Sequence, residues 1–426
     1  MIRFYNGLVL TMQGEIKPEE AEVWVDGDKI AFVGSPTEQQ LAGAAFERQV
    51  DLGGDLIMPS LKNAHTHSAM TFLRSFADGL PLHEWLFEQI FPMEAKLDAQ
   101  RIYWFTKLAI LEYLSTGCTA AFDMYFELDA YVSACTESGF RCVMCSADSG
   151  DEKALTAIED AFLKYNKPDR PFVKYIPGLH AEYTCSKELI SGIGELARKY
   201  KTPTTAHNSE TASEVAGCIE RYGMTPTALL ESVGAFDFGG VQFHCVHLSE
   251  QDIEIFKRRG ITAVHCPASN LKLASGIADV KALKNAGINV ALGTDGPASN
   301  NALDMFREMY LMSVLQNVKY NDAAAFDSLD VLTAATVGGA RAMYLPDCDV
   351  IAEGKQADLV VIDLHKPNMQ PLHNIPKNIV YSGGKTNVRL TMCAGRVLYE
   401  RGEFFIGEQP EKIYAKVQSL VDEMKS

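Results

Sequence analysis

The stretch DLIMPSLKNAHTH, residues 55–67, sets the reading of the whole chain. It is an apolar run ending in two histidines, His65 and His67, one residue apart. Residues two apart on a strand face the same side. That spacing suits a pair of metal ligands and a solvated strand end equally, so the pair alone leaves both readings open. The rest of the chain decides between them. Seven more short apolar runs recur: CTAAFDMYF (118–126), RCVMCSAD (141–148), FVKYIPGLHAEYT (172–184), TPTTAHNSE (202–210), VQFHCVH (241–247), ITAVHCP (261–267) and INVALGTDG (288–296). Helical patterns separate them. RIYWFTKLAILEYLSTG (101–117) has apolar residues three and four apart and stops at Gly117, and SEQDIEIFKRRG (249–260) opens on a Ser-x-x-Asp cap and closes on Gly260.

Strands alternating with helices predict a parallel sheet. Eight such repeats match a (β/α)8 barrel, typically about 250 residues long. A doubly wound open sheet is the fallback, but no G-x-G-x-x-G follows the first strand. The two chain ends differ from the middle. Residues 1–55 alternate and include a hairpin around Asp26-Gly27, and residues 353–408 have the same character. The expected organisation is therefore α/β. A TIM-type barrel covers 56–352, a small β-sandwich forms from 1–55 and 353–408, and a C-terminal helix covers 409–426.

Composition narrows the function classes. The chain has 426 residues, 47% of them apolar and 22% charged, with a formal net charge of −16. An acidic surface repels a nucleic-acid backbone and an anionic membrane, so neither is an expected partner. The start, MIRFYNGLVL, lacks the basic and continuously apolar segments of a secretory signal. Ten cysteines lie scattered without framework spacing, which predicts reduced thiols and a cytoplasmic protein. Cys142 and Cys145 form a C-x-x-C, but inside a buried-strand pattern that reads as packing.

In barrel enzymes the chemistry sits at the C-terminal ends of the strands. Those ends carry His65, His67, Asp123, His180, His207, Glu210, His244 and Asp295. Five of the ten histidines thus fall at one mouth. His65, His67, His207 and Asp295 form an N/O donor set suited to a zinc-type ion. Such an ion lowers the pKa of a bound water from about 15.7 to about 7. Asp295 is then placed both to ligate and to accept the water's proton. Glu210, three residues beyond His207, is a candidate general acid and base. His244 is placed to orient the attacking water or polarise the electrophile. The HAE at 180–182 also opens the zinc nucleotide-deaminase signature, but the required Pro-Cys-x-x-Cys is absent, and that fold is rejected.

The motifs NAHTHSAMT, DGLPLHEWL, HAEYTCS, AHNSET, HCVHLS, PASNLKLASGIA and LGTDGPASNN together resemble the amidohydrolase superfamily. The nearest branch is the one that deaminates S-adenosylhomocysteine, 5′-methylthioadenosine and adenosine and also contains triazine hydrolases. The resemblance covers nearly the whole chain. It implies one divalent metal on His65, His67, His207 and Asp295, zinc in the first place, with ferrous iron or manganese acceptable. It makes Glu210 and His244 partners in catalysis and places His180 against a purine ring nitrogen. In two-metal relatives a modified lysine occupies the strand end that His180 holds here, whereas Lys174 sits at the strand's other end. Trp85 and Glu94 match residues that close over the nucleoside, the glutamate on the ribose hydroxyls, and Ser299 matches a contact to the substrate tail.

The implied activity is hydrolytic deamination of an adenine nucleoside to the hypoxanthine nucleoside and ammonia. Another amino- or chloro-substituted heterocycle, such as guanine, 8-oxoguanine or a triazine, is the alternative, and a non-catalytic scaffold the remote one. A homodimer or tetramer is expected. Three departures stand out: Glu182 where proline is usual, Cys266 where asparagine is common, and the acidic SADSGDEK (146–153) where carboxylate-binding relatives carry arginines. The last favours a substrate with an uncharged 5′ group.

Overall fold

The computed structural model describes residues 1–151 and 153–425. Five strands come from the N-terminal end: β1 (Ile2–Val9), β2 (Glu19–Asp26), β3 (Lys29–Gly34), β4 (Arg48–Asp51) and β5 (Leu56–Pro59). Eight follow in the middle: β6 (Leu61–Thr66), β7 (Cys118–Tyr125), β8 (Arg141–Ser146), β9 (Val173–Tyr175), β10 (Thr204–Asn208), β11 (Gly240–His244), β12 (Ile261–His265) and β13 (Val290–Leu292). The last four are β14 (Leu359–Ile362), β15 (Val388–Cys393), β16 (Arg396–Glu400) and β17 (Glu403–Phe404).

The middle strands form a TIM-type barrel. β6 to β9 pair in parallel, as do β10 to β13. Two seams join these halves. At one, Thr205 spans Pro177 and Leu179, accepting from Leu179 N–H at 3.1 Å and donating its N–H to Pro177 O at 3.1 Å. At the other, Asp295 N–H donates to His65 O at 3.0 Å and Thr294 N–H to Asn63 Oδ1 at 2.9 Å. Each seam carries a glycine that nothing larger can replace. A Cβ on Gly178 would lie 2.1 Å from Thr205 Oγ1, and one on Gly293 would lie 2.7 Å from His65 N. Backbone approaches this close require glycine.

The opening run, 55–67, turns out to serve two sheets. Leu56–Pro59 pairs with β1 and β14 in a nine-stranded sheet from both chain ends, ordered β17-β16-β15-β14-β5-β1-β2-β3 with β4 beside β1. Leu61–Thr66 enters the barrel. The change of partner falls at Ser60, whose N–H donates to Asp358 O at 3.0 Å while that of Leu61 donates to Gly117 O at 2.9 Å. The terminal strands are one hydrogen-bonded sheet around its own core, which includes Phe4, Val23, Ile57, Leu359 and Leu390.

A buried ionic knot fastens this sheet to the barrel floor. Arg141 of β8 donates twice to Asp358, at 2.8 Å each, and Lys62 of β6 lies 3.6 Å from the same carboxylate. Thr119 and the Ala394 N–H complete its shell at 2.7 and 2.9 Å. The helix Pro410–Lys425 lays Ile413, Val417, Leu420 and Met424 against the helix Ala99–Ser115. Ser249 caps its helix reciprocally with Asp252, and Gly260 ends it in the left-handed conformation. Cys142 and Cys145 are both buried and free, 142 on the outer and 145 on the inner side of β8. Among the described residues no helix is long and apolar enough to cross a membrane.

Candidate metal centre and cleft

The strand ends bring His65, His67, His207 and Asp295 together inside the barrel mouth. The ligand atoms of the three histidines lie within 4.8 Å of one another, and so do those of His65, His244 and Asp295. Asp295 Oδ1 is 3.5 Å from His65 Nε2 and 3.2 Å from His67 Nε2, and His207 Nε2 is 3.2 Å from His65 Nε2. All four side chains are buried.

Whether these residues fit a metal is decided by their second nitrogens. His67 Nδ1 meets Met124 O at 2.6 Å and His207 Nδ1 meets His180 O at 2.8 Å. Carbonyl oxygens only accept, so the proton resides on Nδ1 and the Nε2 lone pair is left facing the centre. Two imidazole lone pairs converging beside a carboxylate suit a bound cation. The donor set therefore fits one divalent metal ion. Asp295 Oδ2, turned away from that centre, accepts from Ser269 at 2.5 Å and Ser299 at 2.7 Å. Burial alone would raise its pKa, but the adjoining His65 and His67 rings hold it well below the ordinary value. Asp295 and His244 adopt left-handed φ of 59° and 69°. Strain of this kind persists where the fold over-determines it, commonly at functional sites.

Glu210 and His244 face each other over the centre, Oε2 to Nε2 at 3.8 Å. Burial raises the Glu210 carboxyl above its ordinary pKa, and Ser275 Oγ holds its other oxygen at 3.1 Å. His244 is aimed by Asn270, whose Oδ1 meets Nδ1 at 2.8 Å. A cleft of about 410 Å3 opens above, lined by His180, Glu210, His244 and Asp295 at one part and by Trp85 and Glu94 at another. Burial pushes Glu94 up to about 7, and its Oε1 has no hydrogen-bond partner. Burial also pulls His180 down to about 3, so its ring is neutral.

The family is decided by a match of the Amidohydrolase family over residues 56–398. The chain belongs to that family. A 5-methylthioadenosine/S-adenosylhomocysteine deaminase of Pelotomaculum thermopropionicum is 38% identical over 422 residues, covering 98% of this chain and 97% of that protein. An adenosine deaminase from Xanthomonas campestris, solved with bound zinc, superposes with a TM-score of 0.93 at 33% identity over 100% of this chain and 98% of that one. Atrazine chlorohydrolase from Arthrobacter aurescens shares the fold, with a TM-score of 0.89 at 22% identity over 99% of this chain and 100% of that one. The amidohydrolase barrel thus accounts for the whole layout.

The structure also places the other residues that the sequence singles out. Ser299 is buried and donates to Asp295, so it supports the carboxylate. Glu182 turns away from the cleft and pairs with Arg221. Cys266 is buried at the start of the helix Pro267–Lys272. Lys174 donates to Tyr344 O at 2.6 Å, far from the histidines in the barrel floor. The segment 146–153 borders the cleft through Ala147 and Ser149, while its Glu152 lies outside the described residues.

Four site residues escaped sequence reasoning. Ser269 and Asn270 orient Asp295 and His244 from adjacent positions. Glu214 accepts from the N–H groups of Ser209 and Glu210, at 2.9 and 2.7 Å, and fixes the turn carrying Glu210. Its signal was present as Thr211-x-x-Glu214, a capping box. His265 ends β12 fully buried with both ring nitrogens unpartnered, and burial pulls it down to about 3.

Proposed function

We propose that this chain is a zinc-dependent aminohydrolase that converts an adenine nucleoside and water into the hypoxanthine nucleoside and ammonia. One observation carries the reading: Glu210 and His244 oppose each other above the His65/His67/His207/Asp295 set, in the same cleft as Trp85 and Glu94. The names of the relatives and the zinc of the Xanthomonas structure support it. A divalent ion held there supplies Lewis acidity and a water acidified to a pKa of about 7.

The remaining work falls to side chains. Asp295 accepts a proton from the attacking water, and His244 holds that water by a hydrogen bond. Glu210 protonates the ring nitrogen next to the carbon under attack and then takes up the proton of the new hydroxyl as the carbonyl forms, while Asp295 passes the water's proton to the departing amine, so that ammonia leaves neutral. Burial favours the protonated form of Glu210. His180 orients the purine, Trp85 covers it, and Glu94 accepts from the ribose hydroxyls. The ten free cysteines support a reducing, cytoplasmic setting, and a homodimer or tetramer belongs to the same reading.

The test tracks the adenine absorbance band with metal-loaded protein and a panel of 5′-methylthioadenosine, 5′-deoxyadenosine, adenosine, adenine and guanine. Nucleoside turnover is expected, falling roughly 10²- to 10⁴-fold in Glu210→Gln with metal retained. Turnover of free bases alone would refute the nucleoside reading.

A further inference from the structure

The charge of the cleft is one-sided. Its acidic lining is Glu94, Glu127, Glu210 and Asp295, and among the described residues no lysine or arginine lines it. Nearby cations are engaged elsewhere. Lys96, between the lining residues Ala95 and Leu97, donates to Met424 O at 2.7 Å. Lys272, next to the lining residue Leu273, lies 2.5 Å from Asp78. Arg74 is held by Glu112 at 2.5 Å, and Arg221 is held by Glu182. Lys153, at the end of the acidic segment, is exposed 3.9 Å from Asp151.

We infer that the cleft selects nucleosides whose 5′ substituent is uncharged, such as an alkyl or thioether group, and rejects a 5′ carboxylate or phosphate. This rests on the nucleoside reading above. An anionic tail entering the cleft sheds water without gaining a cation, and an unpaired charge is costly to desolvate. It also meets like charges in a medium that screens them less than water does. The positive charge of a bound metal would be confined to the centre where the ring must react, and Asp295 would offset part of it. An uncharged tail suffers none of this and packs on apolar walls such as Leu82, Phe126 and Leu273. Discrimination thus comes from a missing partner and not from a clash.

The test compares two substrates of equal size, 5′-S-(2-carboxyethyl)-5′-thioadenosine and its primary amide, by kcat/KM with the metal-loaded enzyme. The amide is expected to be better by at least about tenfold, mostly through KM, with the gap narrowing at high salt. Ser149→Arg, which sets a cation at the exposed edge of the lining, is expected to narrow the gap by improving the acid. Equal or better turnover of the acid overturns the inference and leaves the deaminase reading intact. Failure to turn over adenosine, 5′-methylthioadenosine and both probes refutes the nucleoside reading, and the inference falls with it.

Discussion

Ser269 donates a 2.5 Å hydrogen bond to Oδ2 of Asp295, the oxygen facing away from the histidines, while Oδ1 faces them. One carboxylate is thereby split into a held oxygen and a working one. Ser299 shares the holding, at 2.7 Å. Partners of this kind are typically worth 10- to 100-fold in metal affinity or activity. Ser269→Ala is expected to cost roughly tenfold in kcat, and Ser269→Ala with Ser299→Ala roughly a hundredfold. Metal titration beside steady-state kinetics checks this; full activity in the double variant would show that Asp295 needs neither.

Asn270 performs the same service for His244. Asn270→Ala frees the imidazole to rotate, and a loss of about tenfold in kcat is expected with metal content unchanged. Asn270→Asp keeps an acceptor in place and is expected to recover part of that loss. Equal activity in the two variants would deny the residue its orienting role.

Glu308 gives a pH signature of stability. It is buried, accepts from Ala268 N–H at 3.0 Å and Asn300 Nδ2 at 2.8 Å, and burial pushes it up to about 8. Below about 4.5 both folded and unfolded states hold its proton. Between about 4.5 and 8 only the folded state does, so stability falls as pH rises, by at most about 1.4 kcal/mol per unit. Above 8 the contribution is constant. Glu308→Gln is expected to flatten this slope, read as the difference in Tm between variant and parent from pH 5 to 8.5.

Asp358 behaves oppositely. Burial alone would raise its pKa, but Arg141 and Lys62 hold it well below the carboxylate range. Its contribution is therefore present at neutral pH and lost only as pH falls below the ordinary carboxylate value. Asp358→Ala strands two buried cations and is expected to cost about 3–5 kcal/mol in denaturant titrations.

The sequence announced the working groups more clearly than the groups behind them. His65, His67, His207, His244 and Asp295 each end an apolar run, so a local pattern and one rule about barrel mouths place them together. Ser269 and Asn270 act from the helix after β12 on groups at the ends of neighbouring strands, and no local pattern marks a serine as turned toward a carboxylate 26 residues away. Ser299 resembles a substrate contact in sequence, yet it stands four residues beyond Asp295, the spacing that in a short helix returns a side chain onto that residue. The division of residues 55–67 at Ser60 was equally hidden, since both halves are apolar and only the choice of partner strand separates them.

That division has a consequence for how the chain is made. β5 lies between β1, which precedes it, and β14, which begins roughly 300 residues later. At a synthesis rate of about 5–20 residues per second, one edge of Leu-Ile-Met-Pro waits roughly 15 to 60 seconds for its neighbour. The barrel strands are all synthesised in that interval. The mouth that carries the chemistry is therefore built over a floor still open, and the strands from Leu359 onward arrive to seal it.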